Sequence, residues 1–164
     1  MRNNNDEKST VDNDMHNAIN NGNTEAVIKL LRNSKIDVNQ ADIGGITPLL
    51  ATASKGNAAI VKILLAKEGI LINKANKNGI TPLIAAAFAG HNATVKELLA
   101  KKGIAVNQAT KSGQTALHAA AMYDRRNTIK TLLSKEDIDV NQANIGGGNT
   151  TSCSSNGGSH KHYL

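Results

Sequence analysis

The side chains able to do chemistry in this chain are few and scattered. Cys153 is the single cysteine, so it forms no internal disulfide, which fits a reducing compartment. It stands alone, without the neighbouring base that activates a nucleophilic thiol. His160-Lys161-His162 presents two imidazoles, fewer ligands than a closed metal site needs. His91 and His118 have no partner nucleophile or acid at a spacing that would build a catalytic constellation. Lys62, Lys96 and Lys130 recur in one register, and Lys67, Lys101 and Lys135 in another. Such basic rows are one footprint of nucleic-acid binding. No aromatic platforms interleave them, and solvated helix faces carry lysine routinely, so nucleic acid is the lesser reading. The chemistry within reach is recognition. No enzyme activity, cofactor or metal is expected.

The background against which these residues sit is that of one soluble domain. The 164 residues are 40% hydrophobic and 20% charged, but only 2% aromatic, with no Trp. Small aliphatic side chains must therefore fill the core that aromatics usually help to build. The net charge of +6 permits an acidic partner. The opening run Met1-Arg2-Asn3-Asn4-Asn5-Asp6-Glu7 lacks the apolar stretch of a signal peptide, and no apolar run approaches the roughly 20 residues of a membrane span. The expectation is a cytoplasmic protein with no membrane contact, and the sequence carries no secretion signal that would support delivery into a host cell.

A fixed period decides the fold. Thr47-Pro48-Leu49, Thr81-Pro82-Leu83 and Thr115-Ala116-Leu117 stand 34 residues apart. Val38-Asn39-Gln40-Ala41, Ile72-Asn73-Lys74-Ala75, Val106-Asn107-Gln108-Ala109 and Val140-Asn141-Gln142-Ala143 keep the same step. Within a unit, Thr47 supplies an N-cap hydroxyl and Pro48 a pre-set φ, so a helix begins there and stops at Gly56. A second amphipathic segment, Ile60 to Ala66, ends near Gly69, a left-handed C-cap candidate. Asn73, Asn76 and Asn78-Gly79 then give the turn chemistry of a projecting β-hairpin-like loop.

These residues resemble the ankyrin repeat, whose signature is Thr-Pro-Leu-His-x-Ala at the first helix, Gly-His between helices and Gly-x-x-Val-Asn before the loop. The unit from Asn78-Gly79-Ile80-Thr81-Pro82-Leu83 through Gly90-His91 to Val106-Asn107 fits best. A tetratricopeptide array shares the period but expects Trp and short turns, and is rejected. The resemblance implies an all-α solenoid of stacked antiparallel helix pairs with projecting loops. Repeats are placed at 13–41, 42–75, 76–109 and 110–143, after a disordered polar tail at 1–12. Against the usual 33-residue repeat, the extra residue falls between Leu65 and Gly69 and should lengthen the outer helix slightly. In the fourth repeat Asp124-Arg125 replaces Gly-His and Asp137 replaces the C-cap Gly, so both the interhelix turn and the helix end should be strained or rebuilt.

The resemblance also implies a site. Partners of ankyrin proteins commonly meet the concave side, built from hairpin tips and the ends of the first helices. Matched positions put Ile43, Ile46, Lys77, Ile80, Lys111 and Gln114 at the tips, and Ser54-Lys55, Phe88-Ala89 and Met122-Tyr123 at helix ends. Ile80, Phe88, Met122 and Tyr123 would form an apolar patch rimmed by Lys77 and Lys111; alternatively Phe88 and Tyr123 simply pack on each other between repeats three and four. The expected partner is a protein bound by a monomer; a host protein is an inference from family analogy alone. His91 and His118 receive structural hydrogen-bonding roles.

Asn144-Ile145-Gly146-Gly147 restarts the repeat as Asp42-Ile43-Gly44-Gly45 does, and then the pattern gives way to a Gly/Ser/Asn-rich run to Leu164, read as a disordered tail. The genetic code offers a second reading. Shifted one nucleotide from the Gly148 codon, the tail's compatible codons admit Glu-Thr-Pro-Leu-His followed by small residues and Gly-His. The implied Thr falls at position 149, the next step after Thr115. On that reading 144–164 is an aborted fifth repeat with an out-of-frame tail, and the chain is a frameshift-truncated remnant of a larger ankyrin protein. Repeat four would then expose the face bearing His118, Ala121 and Leu132, and fray first. Sequencing the coding DNA is expected to show Thr-Pro-Leu-His in the shifted frame; its absence there removes the frameshift.

Overall fold

The computed structural model describes residues 14–33 and 36–142. The tail expected at 1–12, the restart at 144–147 and the run to Leu164, with Cys153, His160 and His162, lie outside the described residues. Among the described residues eight helices follow one another: α1 (residues 14–20), α2 (Thr24–Leu31), α3 (Pro48–Lys55), α4 (Ala58–Leu65), α5 (Pro82–Ala89), α6 (Asn92–Leu99), α7 (Ala116–Met122) and α8 (Arg126–Leu133). No strand occurs among the described residues.

The helices start where their caps dictate. The hydroxyl oxygens of Thr47, Thr81 and Thr115 accept from the backbone N–H three residues on, at 3.2, 3.2 and 3.3 Å. Pro48 and Pro82 occupy the first turn, where no intrahelical N–H is needed. Thr115 adds a reciprocal bond, its own N–H reaching His118 Nδ1 at 3.4 Å. The inner helices α3 and α5 close on Gly56 and Gly90, both left-handed, with φ of 74° and 78°.

A helix of two turns is marginal in water by itself. These persist because each buries one face on its neighbours. The inner row stacks α3 on α5 and α5 on α7, and the outer row stacks α2, α4, α6 and α8 in turn. Ala53, Ala86, Ala87 and Ala120 are fully buried in the inner row, where small side chains let backbones approach closely. Leu64, Leu98 and Leu132 are fully buried in the outer row, each contributing about 1.5–3 kcal/mol of apolar burial.

Three expectations are corrected. Helix α4 ends at Leu65 with a right-handed cap at Ala66, whose N–H reaches the carbonyls of Lys62 and Ile63. Gly69 is left-handed, but it lies beyond the helix, in a turn. The end of α8 is likewise regular. It stops at Leu133 as α4 and α6 stop at their matching leucines, and Asp137 is not left-handed. The open face of repeat four also differs from expectation. His118 and Leu132 are buried and Ala121 is half-buried. Leu133 is instead 48% exposed and Ile129 half-buried, whereas their counterparts Leu65, Leu99, Val61 and Val95 are buried. Helix phase explains the difference: the first leucine of each Leu-Leu pair packs within its own repeat, and the second faces the repeat that follows.

The interhelix turn of repeat four is strained as its sequence implies. Asp124 has φ of 48°, the one left-handed non-glycine among the described residues, at the position of Gly56 and Gly90. A Cβ in that region is disfavoured, less for Asp than for most residues. Its ion pair with Arg126, at 3.1 Å between two exposed side chains, adds little in return. Asp124→Gly is expected to stabilise the protein by about 0.5–1 kcal/mol, raising Tm by about 1–4 °C. A thermal melt that moves down would show that the aspartate is favourable there.

Candidate partner-binding surface

Among the described residues the projecting loops hold no strand; one backbone bond closes each hairpin, from the N–H of Asp42, Asn76 or Thr110 to the carbonyl of Ile46, Ile80 or Gln114, and side chains do the rest. In the first hairpin Asp42 Oδ1 accepts from the N–H groups of Gly44 and Ile46, both at 2.8 Å. Asn76 repeats the bonds to Asn78 and Ile80 at 2.9 and 3.0 Å. Thr110 keeps one of them, its hydroxyl accepting from Gln114 N–H at 3.1 Å. Each turn then places Gly45, Gly79 or Gly113 at positive φ. A side chain at Gly79 would also meet the next loop, since a Cβ there would lie 2.8 Å from Lys111 N. Successive tips are tied by the N–H groups of Lys77 and Lys111, which donate to the carbonyls of Gly44 and Asn78 at 3.1 and 3.0 Å.

Behind the tips one asparagine per repeat reaches across to its neighbour. Asn39 Nδ2 donates to the Gly69 carbonyl at 2.8 Å and its Oδ1 accepts from Leu71 N–H at 2.9 Å. Asn73 does the same with Gly103 and Ala105, and Asn107 with Asp137 and Asp139. These are pairs of bonds of the kind a β-ladder makes with backbone alone.

The candidate residues fall into two groups on this frame. At the tips Ile43 is 93% exposed, Lys77 and Lys111 are exposed, and Ile46, Ile80 and Gln114 are half-buried, with Ile80 packed against the core. At the helix ends Ser54 and Lys55 are exposed and Ala89 is half-buried. Phe88 is 49%, Met122 46% and Tyr123 40% exposed. Phe88 and Tyr123 also touch, ring centroids 4.4 Å apart with planes at 60°, so they are at once a packed pair and an exposed one. An edge-to-face contact of this kind is worth about 0.5–1.5 kcal/mol beyond area burial.

Sequence reasoning missed Arg125. It occupies the slot of His91, whose ring covers Gly56 and whose Nε2 lies 3.1 Å from the Ser54 carbonyl. Arg125 repeats that arrangement one repeat later. Its stem covers Gly90, where an added Cβ would come within 2.6 Å of Cδ, and its Nε donates to the Phe88 carbonyl at 3.1 Å. The guanidinium carbon lies 5.9 Å from the Tyr123 ring centroid, a cation–π geometry. The signal was available in the register, since position 125 follows position 91 by one 34-residue step.

Lys62, Lys96 and Lys130 lie on the outer helices, whereas Lys67, Lys101 and Lys135 lie in the turns that follow them. Lys96, Lys130 and Lys135 line an open groove of about 530 Å³ between α6 and α8. Its hydroxyls are already donors elsewhere, Thr131 to Asn92 Oδ1 and Ser134 to the Thr131 carbonyl, both at 2.7 Å. Lys67 is not merely solvated, for its Nζ donates to the Leu31 carbonyl at 3.0 Å. Among the described residues no group of three or more metal-ligating side chains converges, and no helix is long and apolar enough to cross a membrane.

A family model described as ankyrin repeats (3 copies) matches residues 15–110 and again residues 68–144. No curated protein matches the chain.

Proposed function

The chain belongs to the ankyrin repeat family, whose members are generally protein–protein interaction modules and typically not enzymes, and on that footing we propose that it is a non-catalytic, monomeric, cytoplasmic module binding a protein partner through its concave side. One observation carries the reading. The inner helices bury nearly every side chain, and the few that emerge do so at the helix C-termini, where they include Phe88, Met122 and Tyr123. Large apolar side chains held out of the core on a rigid stack are what interface anchors require. The hairpin tips alongside supply Ile43, Lys77 and Lys111, a polar and apolar mixture suited to an interface rim. Affinity capture from the producing cell, with the wild type and with Phe88→Ala, is the test. A partner retained by the wild type should lose about 30-fold in affinity for Phe88→Ala, the effect of removing an anchor of about 2 kcal/mol, and be unchanged by Lys62→Ala on an outer helix. Equal binding by Phe88→Ala, or loss confined to Lys62→Ala, rules out the concave side.

A second reading has its own support: that the chain is a frameshift-truncated remnant of a larger ankyrin protein, with no independent function. Leu133 and Ile129 are accessible at slots that are buried in the preceding repeats, and the shifted codons of the tail would place a covering helix there. On this reading amides of α7 and α8 exchange hydrogen faster than those of α5 and α6, and a chain extended in the shifted frame restores their protection. Uniform protection from α5 to α8 in the present chain removes the support.

A further inference from the structure

Arg125 is fixed in place and lacks a counter-charge. Its Nε is committed to the Phe88 carbonyl, its stem lies over Gly90, and its guanidinium sits over the Tyr123 ring. The nearest acid in sequence, Asp124, is paired with Arg126 instead. Among the described residues, the two terminal nitrogens of Arg125 bond no carboxylate, and the side chain is exposed. An arginine presents a planar fork that matches a carboxylate in two parallel bonds, and pre-organisation removes most of the ordering cost of forming them. Beside this fork lie the exposed parts of Phe88, Tyr123 and Met122. A pre-set cation against an apolar ledge calls for a ligand with the complementary pair of features.

We propose that this corner is the specificity element of the concave surface and takes an acidic peptide segment, in which an Asp or Glu carboxylate accepts two bonds from Arg125 while an adjacent apolar side chain lies on Phe88 and Met122. The inference rests on the concave-side reading and adds the partner's chemistry to it. Charge at the tips and helix ends favours the same class, with Lys55, Lys77 and Lys111 exposed against Asp42, and Asp124 already paired with Arg126. A nucleic acid fits less well. Stacking a base needs an open ring face, whereas Tyr123 is engaged by Arg125 and the two rings close on each other edge to face.

The test is display of a random twelve-residue peptide library against the full chain, followed by affinity measurement on the selected peptides. Selected sequences should carry Asp or Glu next to Leu, Ile, Phe or Met, and Gln or Asn in place of the acid should weaken them. Arg125→Gln should lower affinity by more than about tenfold, with Arg125→Lys in between, because lysine keeps the charge and loses the fork. Circular dichroism of both variants separates lost binding from lost folding, since Arg125 also covers Gly90; Arg125→Lys retains a covering stem if Arg125→Gln does not fold. Peptides without acidic residues, or binding indifferent to both Arg125 variants, overturn the proposal; if such binding still falls with Phe88→Ala, the concave-side reading survives it. Selection of no peptide at all, or Arg125-dependent retention of oligothymidylate in place of peptide, also overturns it.

Discussion

The carboxamide of one asparagine per repeat holds the loops of this protein together. Backbone that projects from a helical stack has N–H and C=O groups to satisfy, and among the described residues no strand forms, so isolated backbone bonds, such as Asp42 N–H to the Ile46 carbonyl and Lys77 N–H to the Gly44 carbonyl, satisfy only part of them. Asn39, Asn73 and Asn107 each supply a donor and an acceptor to the loop of the next repeat. A carboxamide has the same two groups as a peptide unit, so it completes a ladder where a strand is missing. Partners lie 30 and 32 residues on in all three cases, so the bonds demand that every repeat have the same length. With the loops locked, the tips stand in a row and the ends of the inner helices are presented beside them at fixed spacing.

The stack and its caps were legible because they depend on local chemistry repeated at a fixed step. Thr47, Thr81 and Thr115 announce helix starts by residue type, and Gly56 and Gly90 announce stops through a conformation few other residues accept. Features that depend on helix phase were less legible. Leu132 and Leu133 are identical as residues and adjacent in the chain, yet one is buried and the other half exposed. Only their phase on α8 distinguishes them, about 100° apart around the helix axis. The asparagine ladder is visible as a period, but an asparagine in a loop equally suits a turn, and a side chain bonding 30 residues away leaves no local signature.

The surface residues divide in the same manner. Phe88, Met122 and Tyr123 could be placed at helix ends by register, and that is where they emerge. Whether two aromatics one repeat apart would face each other or the solvent could not be read from spacing, since both outcomes place them at the same slots. The geometry shows that the alternatives coexist: the rings touch and remain about half exposed. Arg125 stands in the sequence only as a departure from the Gly-His motif, which gives no sign of its contacts. Its long side chain makes the same two contacts as His91, over a glycine and onto a carbonyl, while bringing a guanidinium to a place where His91 brings an imidazole.

In both of these junctions the cover for a repeat's turn comes from the repeat after it. Gly56 is roofed by His91 and Gly90 by Arg125, each about one repeat later in the chain. During synthesis, then, a repeat leaves the ribosome with its turn unroofed and is completed only when its successor has emerged and folded. The same dependence makes the array modular in a particular sense. Excising residues 76–109 would bring Asn73 into register with Asp137 and Asp139, preserving the carboxamide bonds, while Gly56 would exchange a histidine roof for an arginine one. Whole repeats can be gained or lost without breaking the carboxamide bonds between loops, and what changes at each new junction is the charge laid beside the ends of the inner helices.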